Sequence, residues 1–333
     1  MKIIIPMAGK GKRLRPTTLT IHKPLIPIAG QSIVQRLTEK IKASLPHTIT
    51  DIGYVVRDVD DDTEAALLAL AEQMGARGHI FYQDEPLGTA HAILCARPLL
   101  DGPVTVAFAD TLFYADMHID PADDGIIWVK KVDDPRQYGV VVTDEDLIIQ
   151  RFEEKPDHFV SDLAIIGIYY FKDGAELAGE LQYLIDHDIR TKGEYQLTDA
   201  MDRMRSKGKR LRAGVVEEWL DCGNRDTMLY TLRRVLEREL PEGYVDETAT
   251  VTESTLVPPY YIGPGAEVKR SIVGPGTAIE KGAHLHQTVI QDSMILSEAH
   301  VQDAVLDHSV VGRHSQCKGA VQRLHISDYS ICE

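Results

Sequence analysis

The stretch KIIIPMAGKGKRLRPTTLTIHKPL, residues 2–25, joins a short apolar run to a basic loop that contains glycine. The run KIIIPMA has the length and character of a strand that is buried on both faces of a parallel sheet. The loop after it lies at the carboxyl end of this strand, where open α/β sheets bind their ligands. Gly9 and Gly11 let backbone N–H groups approach an anion closely. The stretch therefore predicts an α/β domain, and taken alone its loop is either a phosphate-binding loop or a solvated basic turn.

Positive charge is concentrated around this loop, although the chain as a whole is acidic. The 333 residues include 36 Lys and Arg against 51 Asp and Glu, and the first acidic residue is Glu39. Arg13 offers a planar group suited to phosphate, and Lys23 offers a point charge. The net charge of −15 argues against nucleic acid as a partner, because that binding needs a broad basic face. A small anion bound at one local site remains compatible with the composition.

Composition places the chain among soluble globular proteins. The length suggests about two domains, and 44% of the residues are hydrophobic. No apolar run reaches about 18 residues, and the apolar start is too short for a signal peptide, so we expect no membrane partner. The cysteines form no CxxC pair, which favours a reducing cytoplasmic location and gives no zinc site. They are Cys95, Cys222, Cys317 and Cys332.

Apolar runs alternate with helical patterns over residues 1–240, as in an α/β domain with helices on both faces of its sheet. Ser32 is a candidate N-cap for a helix whose apolar stripe begins at Ile33. Further helices are predicted over residues 63–74, 193–208 and 224–240. Further strands are predicted over residues 52–56, 79–83, 104–110, 125–132 and 164–171.

A different pattern occupies residues 241–333. After a lead-in at residues 248–259, small aliphatic residues recur every five or six positions, with glycine and other small residues between them. Three such sides make one turn of a triangular coil, so the pattern predicts a short left-handed parallel β-helix, with an irregular β-tail as the alternative. Such coils often carry subunit contacts, so we expect a homo-oligomer. The recurring residues are Ile262, Val268, Val273, Ile279, Leu285, Ile290, Ile295, Val301, Leu306, Val311 and Cys317.

Seven segments of the chain resemble, in order, the motifs of sugar-1-phosphate nucleotidylyltransferases, most closely the glucose-1-phosphate thymidylyltransferase and uridylyltransferase branch. The basic loop departs from the family pattern at Lys12 and His22, and a later motif departs from it at Ala109. The resemblance implies a Rossmann-like, GT-A-like mixed sheet followed by the β-helix. The segments are GKGKRLRPTTLTIHKPLIP (9–27), QDEPLGTAHAI (83–93), FADT (108–111), YGVV (138–141), EEKP (153–156), IIGIYYF (165–171) and WLDCGN (219–224).

The resemblance also implies substrates, a cofactor and a role for each matching residue. The substrates would be a nucleoside triphosphate (NTP) and a sugar-1-phosphate, with dTTP or UTP and glucose-1-phosphate favoured, and the cofactor would be Mg²⁺. Two polyanions must meet in this reaction, so positioning and charge neutralisation carry the catalysis. The implied residues are Arg13, Lys23 and Lys155 for catalysis; Ala8, Gly9, Gly11, Gln83, Gly88 and Thr89 for the nucleotide; Gly139, Glu154, Lys155 and Gly167 for the sugar phosphate; and Asp110 and Asp221 for the metal.

Three alternatives stay open from the sequence. One is a bifunctional N-acetylglucosamine-1-phosphate uridylyltransferase whose tail transfers an acetyl group to an amino sugar. Histidines in or beside the repeats fit such a tail, or they are surface residues of an assembly module. The second is a GTP-dependent mannose-1-phosphate guanylyltransferase, and the third is a silent sugar-nucleotide sensor. The histidines are His284, His286, His300, His308, His314 and His325.

Overall fold

The computed structural model describes residues 1–45 and 47–319, which divide into two compact units. The first unit contains Met1–Ile26 and Ser32–Gly223. The second contains Pro27–Gln31 and the described chain from Asn224 onward. Cys332 and His325 lie outside the described residues, and the domain boundary expected at residues 240 and 241 stays a prediction.

Six α-helices occur in the described chain, and Ser32 caps the first of them as predicted. The Ser32 hydroxyl oxygen accepts a hydrogen bond from the backbone N–H of Gln35 at 3.2 Å. The third helix, with seven residues, and the fourth were not predicted from the sequence. The helices are α1 (Ile33–Ser44), α2 (Asp61–Gln73), α3 (Thr89–Cys95), α4 (Gly174–Asp186), α5 (Leu197–Ser206) and α6 (Arg225–Glu239).

The strands up to residue 221 form a large mixed sheet and two small ribbons, one pairing β2 with β3 and the other β7 with β13. They are β1 (Lys2–Pro6), β2 (Pro27–Ile28), β3 (Gln31–Ser32), β4 (Asp51–Val56), β5 (Arg77–Tyr82), β6 (Val104–Ala107), β7 (Thr111–Tyr114), β8 (Gly125–Lys131), β9 (Gly139–Thr143), β10 (Ile149–Glu154), β11 (Leu163–Phe171), β12 (Leu211–Val215) and β13 (Glu218–Asp221).

The large sheet has the order β10-β9-β11-β6-β1-β4-β5, and β8 pairs with both β11 and β12. Strands β6, β1, β4 and β5 are parallel neighbours, whereas β11 runs antiparallel to β6. The consecutive residues Ile3, Ile4 and Ile5 of β1 are fully buried, so protein covers both faces of this sheet. The predicted mixed α/β architecture is confirmed, and the carboxyl ends of β1 and β6 reach the same edge.

The second unit contains helix α6 and, after it, a left-handed parallel β-helix, as predicted. Glu267 pairs with His284, which pairs with His300, so successive coils take 17 and 16 residues. The expected lead-in already belongs to the first coil. The strands are β14 (Tyr244–Val245), β15 (Thr250–Thr252), β16 (Thr255–Leu256), β17 (Tyr260–Ile262), β18 (Glu267–Lys269), β19 (Ile272–Val273), β20 (Thr277–Ile279), β21 (His284–His286), β22 (Val289–Gln291), β23 (Met294–Ile295), β24 (His300–Gln302), β25 (Val305–Asp307), β26 (Val310–Val311) and β27 (Gln316–Lys318).

The aliphatic repeat forms the interior of this coil. The eight predicted residues from Ile262 to Val301 are buried in one cluster, and Leu306, Val311 and Cys317 pack against it. Corner residues with positive φ stack from coil to coil, as at Glu253, Arg270, Gln287 and Asp303. One inward residue in each short side and a left-handed corner after it explain why the sequence repeats as it does.

None of the helices in the described part of the chain combines the length and apolar character needed to cross a membrane.

Candidate active site

The basic loop leaves the carboxyl end of β1 and is held in place by contacts of its own residues. Gly11 has a φ of 57°, in the left-handed region that favours glycine. Its carbonyl oxygen accepts hydrogen bonds from the Thr18 hydroxyl at 2.8 Å and from the Leu14 N–H at 2.9 Å. Leu14 is buried, so an apolar anchor and a glycine turn shape a loop whose cationic side chains stay near solvent.

A cavity of about 400 Å³ lies at this edge of the sheet in the first unit. Nine of the residues predicted to bind substrates or metal line it, and they come from three separated motifs. Lys12, where the sequence departs from the family pattern, also lines it. The nine are Ala8, Gly9, Gly11, Arg13, Lys23, Gln83, Gly88, Thr89 and Asp110.

The two predicted metal ligands lie on neighbouring segments beside this cavity. Asp110 precedes β7 and Asp221 ends β13, and these strands pair so that Asp221 faces Thr111. The backbone N–H of Cys222 donates a hydrogen bond to the Asp110 carbonyl oxygen at 2.9 Å. The antiparallel ribbon therefore joins two aspartates that are 111 positions apart in the chain.

Each of the two aspartates lies close to a cation of the basic loop. Asp110 Oδ2 is 2.7 Å from Lys23 Nζ. A Cβ atom placed on Gly223 would be 2.8 Å from both carboxylate oxygens of Asp221 and 3.2 Å from Arg13 Nη2. A side chain at Gly223 would therefore crowd the place where the Asp221 carboxylate and the Arg13 guanidinium come together. The fold thus brings Arg13, Lys23, Asp110 and Asp221 to one place.

The four predicted sugar-phosphate residues are absent from the cavity lining that the described residues define, and three of them, Gly139, Glu154 and Lys155, lie together. Gly139 pairs with Glu154 across β9 and β10, and Lys155 Nζ is 3.7 Å from Glu154 Oε1. Burial raises the pKa of the Glu154 carboxyl. Gly167, the fourth, contacts the cavity wall instead: its carbonyl oxygen accepts a hydrogen bond at 2.9 Å from the N–H of Phe108, which lines the cavity.

The predicted base-binding segment is fixed by a part of the chain that sequence reasoning missed. Gly88 has a φ of 121°, and a Cβ atom there would be 2.4 Å from the carbonyl oxygen of Tyr195. Glu194 lines the cavity beside it. The sequence GEYQLTDA at 193–200 was interpreted only as a helix, and helix α5 begins at Leu197. No motif or spacing in this segment marked Glu194 as part of the site.

In its described part, the coil contains one stacked pair of histidines. The rings of His284 and His300 are 4.6 Å apart, and His284 Nδ1 is 3.1 Å from Glu267 Oε2. Among the described residues, only Asp292, Asp307 and His308 group closely enough to resemble a metal site, and Asp292 already pairs with Arg233 at 2.8 Å. These contacts fit a packing or assembly module.

Comparison with known proteins identifies the class. The family described as "Nucleotidyl transferase" matches residues 2–238, so the chain belongs to this family and is an enzyme. The family described as "GlmU-like, C-terminal hexapeptide" matches residues 242–325, in agreement with the coil. The resemblance inferred from the sequence motifs is therefore confirmed.

Individual relatives carry more particular names. The glucose-1-phosphate thymidylyltransferase of Streptomyces griseus is 30% identical over 358 residues, covering 99% of this chain and 98% of that protein. The bifunctional protein GlmU of Methanococcus maripaludis is 27% identical, covering 77% of this chain and 60% of that protein. A solved nucleoside-diphosphate-sugar pyrophosphorylase from Vibrio cholerae shares the fold, with a TM-score of 0.60 at 20% identity over 69% of this chain and 99% of that chain.

Proposed function

We propose that this enzyme transfers a nucleotidyl group from dTTP or UTP to glucose-1-phosphate. A phosphate oxygen of the sugar phosphate forms a bond to the α-phosphorus, and the bond from that phosphorus to the bridging oxygen breaks as pyrophosphate leaves. The observation that supports this best is the meeting of Arg13, Lys23, Asp110 and Asp221 beside the cavity that Gln83 and Gly88 line. The similarity to the Streptomyces griseus enzyme favours thymidylyl transfer to glucose-1-phosphate.

In this proposal the protein supplies position and charge, and it needs no nucleophile of its own. Arg13 and Lys23 neutralise charge on the α-phosphate and on the departing pyrophosphate. Lys155 orients the sugar phosphate, whose attacking oxygen is already ionised at neutral pH. Gly9 and Gly11 offer backbone N–H groups to the phosphates.

We also propose that Asp110 and Asp221 bind Mg²⁺. The donor set fits this ion, because Mg²⁺ prefers one or two carboxylates together with phosphate oxygens, and both carboxylates lie beside the cavity. When bound, the ion would neutralise charge on the triphosphate. Lys23 already pairs with one of these carboxylates, so it is placed to orient Asp110 toward such an ion.

The metal assignment predicts the effect of removing one carboxylate charge at a time. Asp110→Asn and Asp221→Asn should each lower kcat by about a hundredfold or more, with melting temperatures near that of the wild type. Mn²⁺ binding measured by calorimetry should weaken in both variants. Glu72→Gln, which neutralises an exposed carboxylate on α2, is the control. Wild-type rates in both aspartate variants would contradict the assignment.

The substrates are tested by measuring pyrophosphate release from ATP, CTP, GTP, UTP and dTTP. Each NTP is combined with glucose-1-phosphate, mannose-1-phosphate and N-acetylglucosamine-1-phosphate. dTTP or UTP with glucose-1-phosphate should be fastest. GTP with mannose-1-phosphate would instead support the guanylyltransferase alternative. No release with any pair would support the silent sensor and overturn the proposed function.

The bifunctional alternative is supported by the match of the coil to the GlmU-like family. It predicts acetyl-CoA turnover with an amino-sugar phosphate, abolished by replacing one coil histidine. We expect no such turnover.

The homo-oligomer stays a prediction, which light scattering on the full chain tests.

A further inference from the structure

The segment Glu194–Leu197 is joined to the base-binding segment by backbone hydrogen bonds in both directions. The N–H of Tyr195 donates to the Leu87 carbonyl at 2.9 Å, and the N–H of Ala90 donates to the Tyr195 carbonyl at 2.9 Å. The side chains beside this junction are therefore fixed relative to the cavity that Gly88 and Thr89 line.

Within this junction, three side chains and one backbone N–H form a chain of hydrogen bonds. Gln196 Nε2 is 3.2 Å from Glu194 Oε2, and Gln196 Oε1 is 3.1 Å from the Thr89 hydroxyl. The N–H of Leu197 donates to the same hydroxyl at 2.9 Å. Gln196 is 7% exposed, and within the described chain its side chain caps no N–H of α5, although it occupies the N-cap position.

Glu194 ends this series of hydrogen bonds, and the chemistry of its carboxylate fixes which atoms donate and which accept. An ionised carboxylate can only accept hydrogen bonds, so the Gln196 amide nitrogen must face Glu194. The Gln196 carbonyl oxygen then faces Thr89 and can only accept, so it takes the Thr89 hydroxyl proton. Leu197 occupies one lone pair of the hydroxyl oxygen. What Thr89 still offers to the cavity is the other lone pair, which makes it an acceptor.

Gln83 lines the same cavity, and its hydrogen bonds likewise leave only an acceptor group for a ligand. Its Nε2 lies 3.1 Å from the Gly88 carbonyl oxygen, which can only accept, and 3.1 Å from His91 Nδ1. Both amide protons are committed by these contacts, so His91 Nδ1 acts as an acceptor. Gln83 is 6% exposed, and its remaining group is the carbonyl oxygen Oε1. Two buried or half-buried acceptors thus line the base site.

We propose that Gln196 is a positioning residue that holds Thr89 as an acceptor, and that the base site therefore selects nucleobases whose ring nitrogen carries a proton. Thymine, uracil and guanine present such an N–H. The corresponding ring nitrogen of cytosine or adenine is itself an acceptor, and it would face two lone pairs without a proton between them. This inference rests on the proposed function, because it takes the cavity to bind an NTP.

The test compares dTTP with CTP in variants that release the Thr89 proton. Gln196→Met keeps the length of the side chain and removes both of its hydrogen-bonding groups. The hydroxyl can then rotate and donate to N3 of cytosine, so the ratio of kcat/KM for dTTP to that for CTP should fall about tenfold, mainly through KM. Gln73→Met, at an exposed position of α2, should leave the ratio unchanged.

A double-mutant cycle separates positioning from a general structural effect. Thr89→Val removes the hydroxyl, so adding Gln196→Met to it should not change the ratio further. An unchanged ratio in Gln196→Met, an equal fall in the Thr89→Val background, or a wild type that prefers CTP or ATP would each overturn the inference. Dissociation constants for dTTP and CTP, measured by equilibrium dialysis, give the same ratio without turnover. A wild type that binds dTTP selectively and transfers nothing would contradict the proposed function and leave this inference standing.

Discussion

Glu154, a predicted sugar-phosphate residue, departs at the residue scale from ordinary surface chemistry. Its carboxyl group is largely buried at the end of β10, and burial raises its pKa, whereas nearby Lys155 and Lys192 act in the opposite direction. The Thr198 hydroxyl lies 3.4 Å from its Oε2. A carboxyl group buried in this way costs stability when it is charged.

The raised pKa fixes the sign of a pH effect on stability. Between the unfolded pKa, about 4.3, and the higher folded pKa, the folded chain binds more protons, so the free energy of unfolding falls as pH rises. Glu154→Gln cannot ionise, so its free energy of unfolding relative to wild type should increase as pH rises from about 4 through this window. Urea denaturation at several pH values measures this, with the exposed Glu145→Gln as control. If the difference in free energy of unfolding between Glu154→Gln and the wild type did not depend on pH, the raised pKa of Glu154 would be contradicted. We also expect the activity of Glu154→Gln to be lower than that of the wild type.

Individual residues were predictable from the sequence where a motif contains them, and not where only tertiary packing defines their role. Arg13, Lys23 and Asp110 belong to local patterns, and the structure places all three on one cavity. Glu194 and Gln196 act through contacts with residues more than 100 positions earlier, as between Thr89 and Gln196. No local spacing encodes such a contact, so these two residues were missed.

At the scale of elements, the coil is the part of the fold whose sequence and structure agree most closely. In strand β22, Ile290 points inward and is fully buried, whereas its neighbour Val289 points outward and is 43% exposed. Ile290→Ala should lower the free energy of unfolding by about 2–5 kcal/mol, and Val289→Ala should change it by less than about 1 kcal/mol. Trp128 and Trp219 both belong to the first unit, so tryptophan fluorescence does not report directly on the coil. Far-UV circular dichroism during denaturation therefore measures both changes. Equal losses would contradict the assigned register.

The α/β unit was less predictable at this scale, for two physical reasons. Helix α3 has seven residues, about two turns, which is too few for a repeating apolar stripe to stand out. Helix α4 contains two glycines, which lower helix propensity. The pairing of β7 with β13 joins distant segments, and its register depends on packing and not on local pattern. Asp221 could therefore be expected to bind metal by resemblance, although its position beside Thr111 could not be worked out from the sequence.

For the whole molecule, the distribution of charge matters more than its sum. A chain of net charge −15 should repel a triphosphate, yet the cavity is lined by Lys12, Arg13 and Lys23. Screening in water confines most charge effects to about 10 Å at ordinary ionic strength, so a local cluster of cations can outweigh a distant acidic surface. The field at the cavity is then set by the residues that line it.

Two substitutions with the same effect on net charge separate the local from the global explanation. Lys12→Gln and Lys172→Gln both make the chain more negative by one unit, but Lys12 lines the cavity and Lys172 follows β11 at the opposite edge of the sheet. Lys12→Gln should raise KM for the NTP about two- to fivefold and weaken its dependence on salt, because an exposed charge pair is lost. Lys172→Gln should leave both unchanged. An equal rise in KM in the two variants, measured by steady-state kinetics from low to physiological salt, would mean that the net charge controls substrate binding.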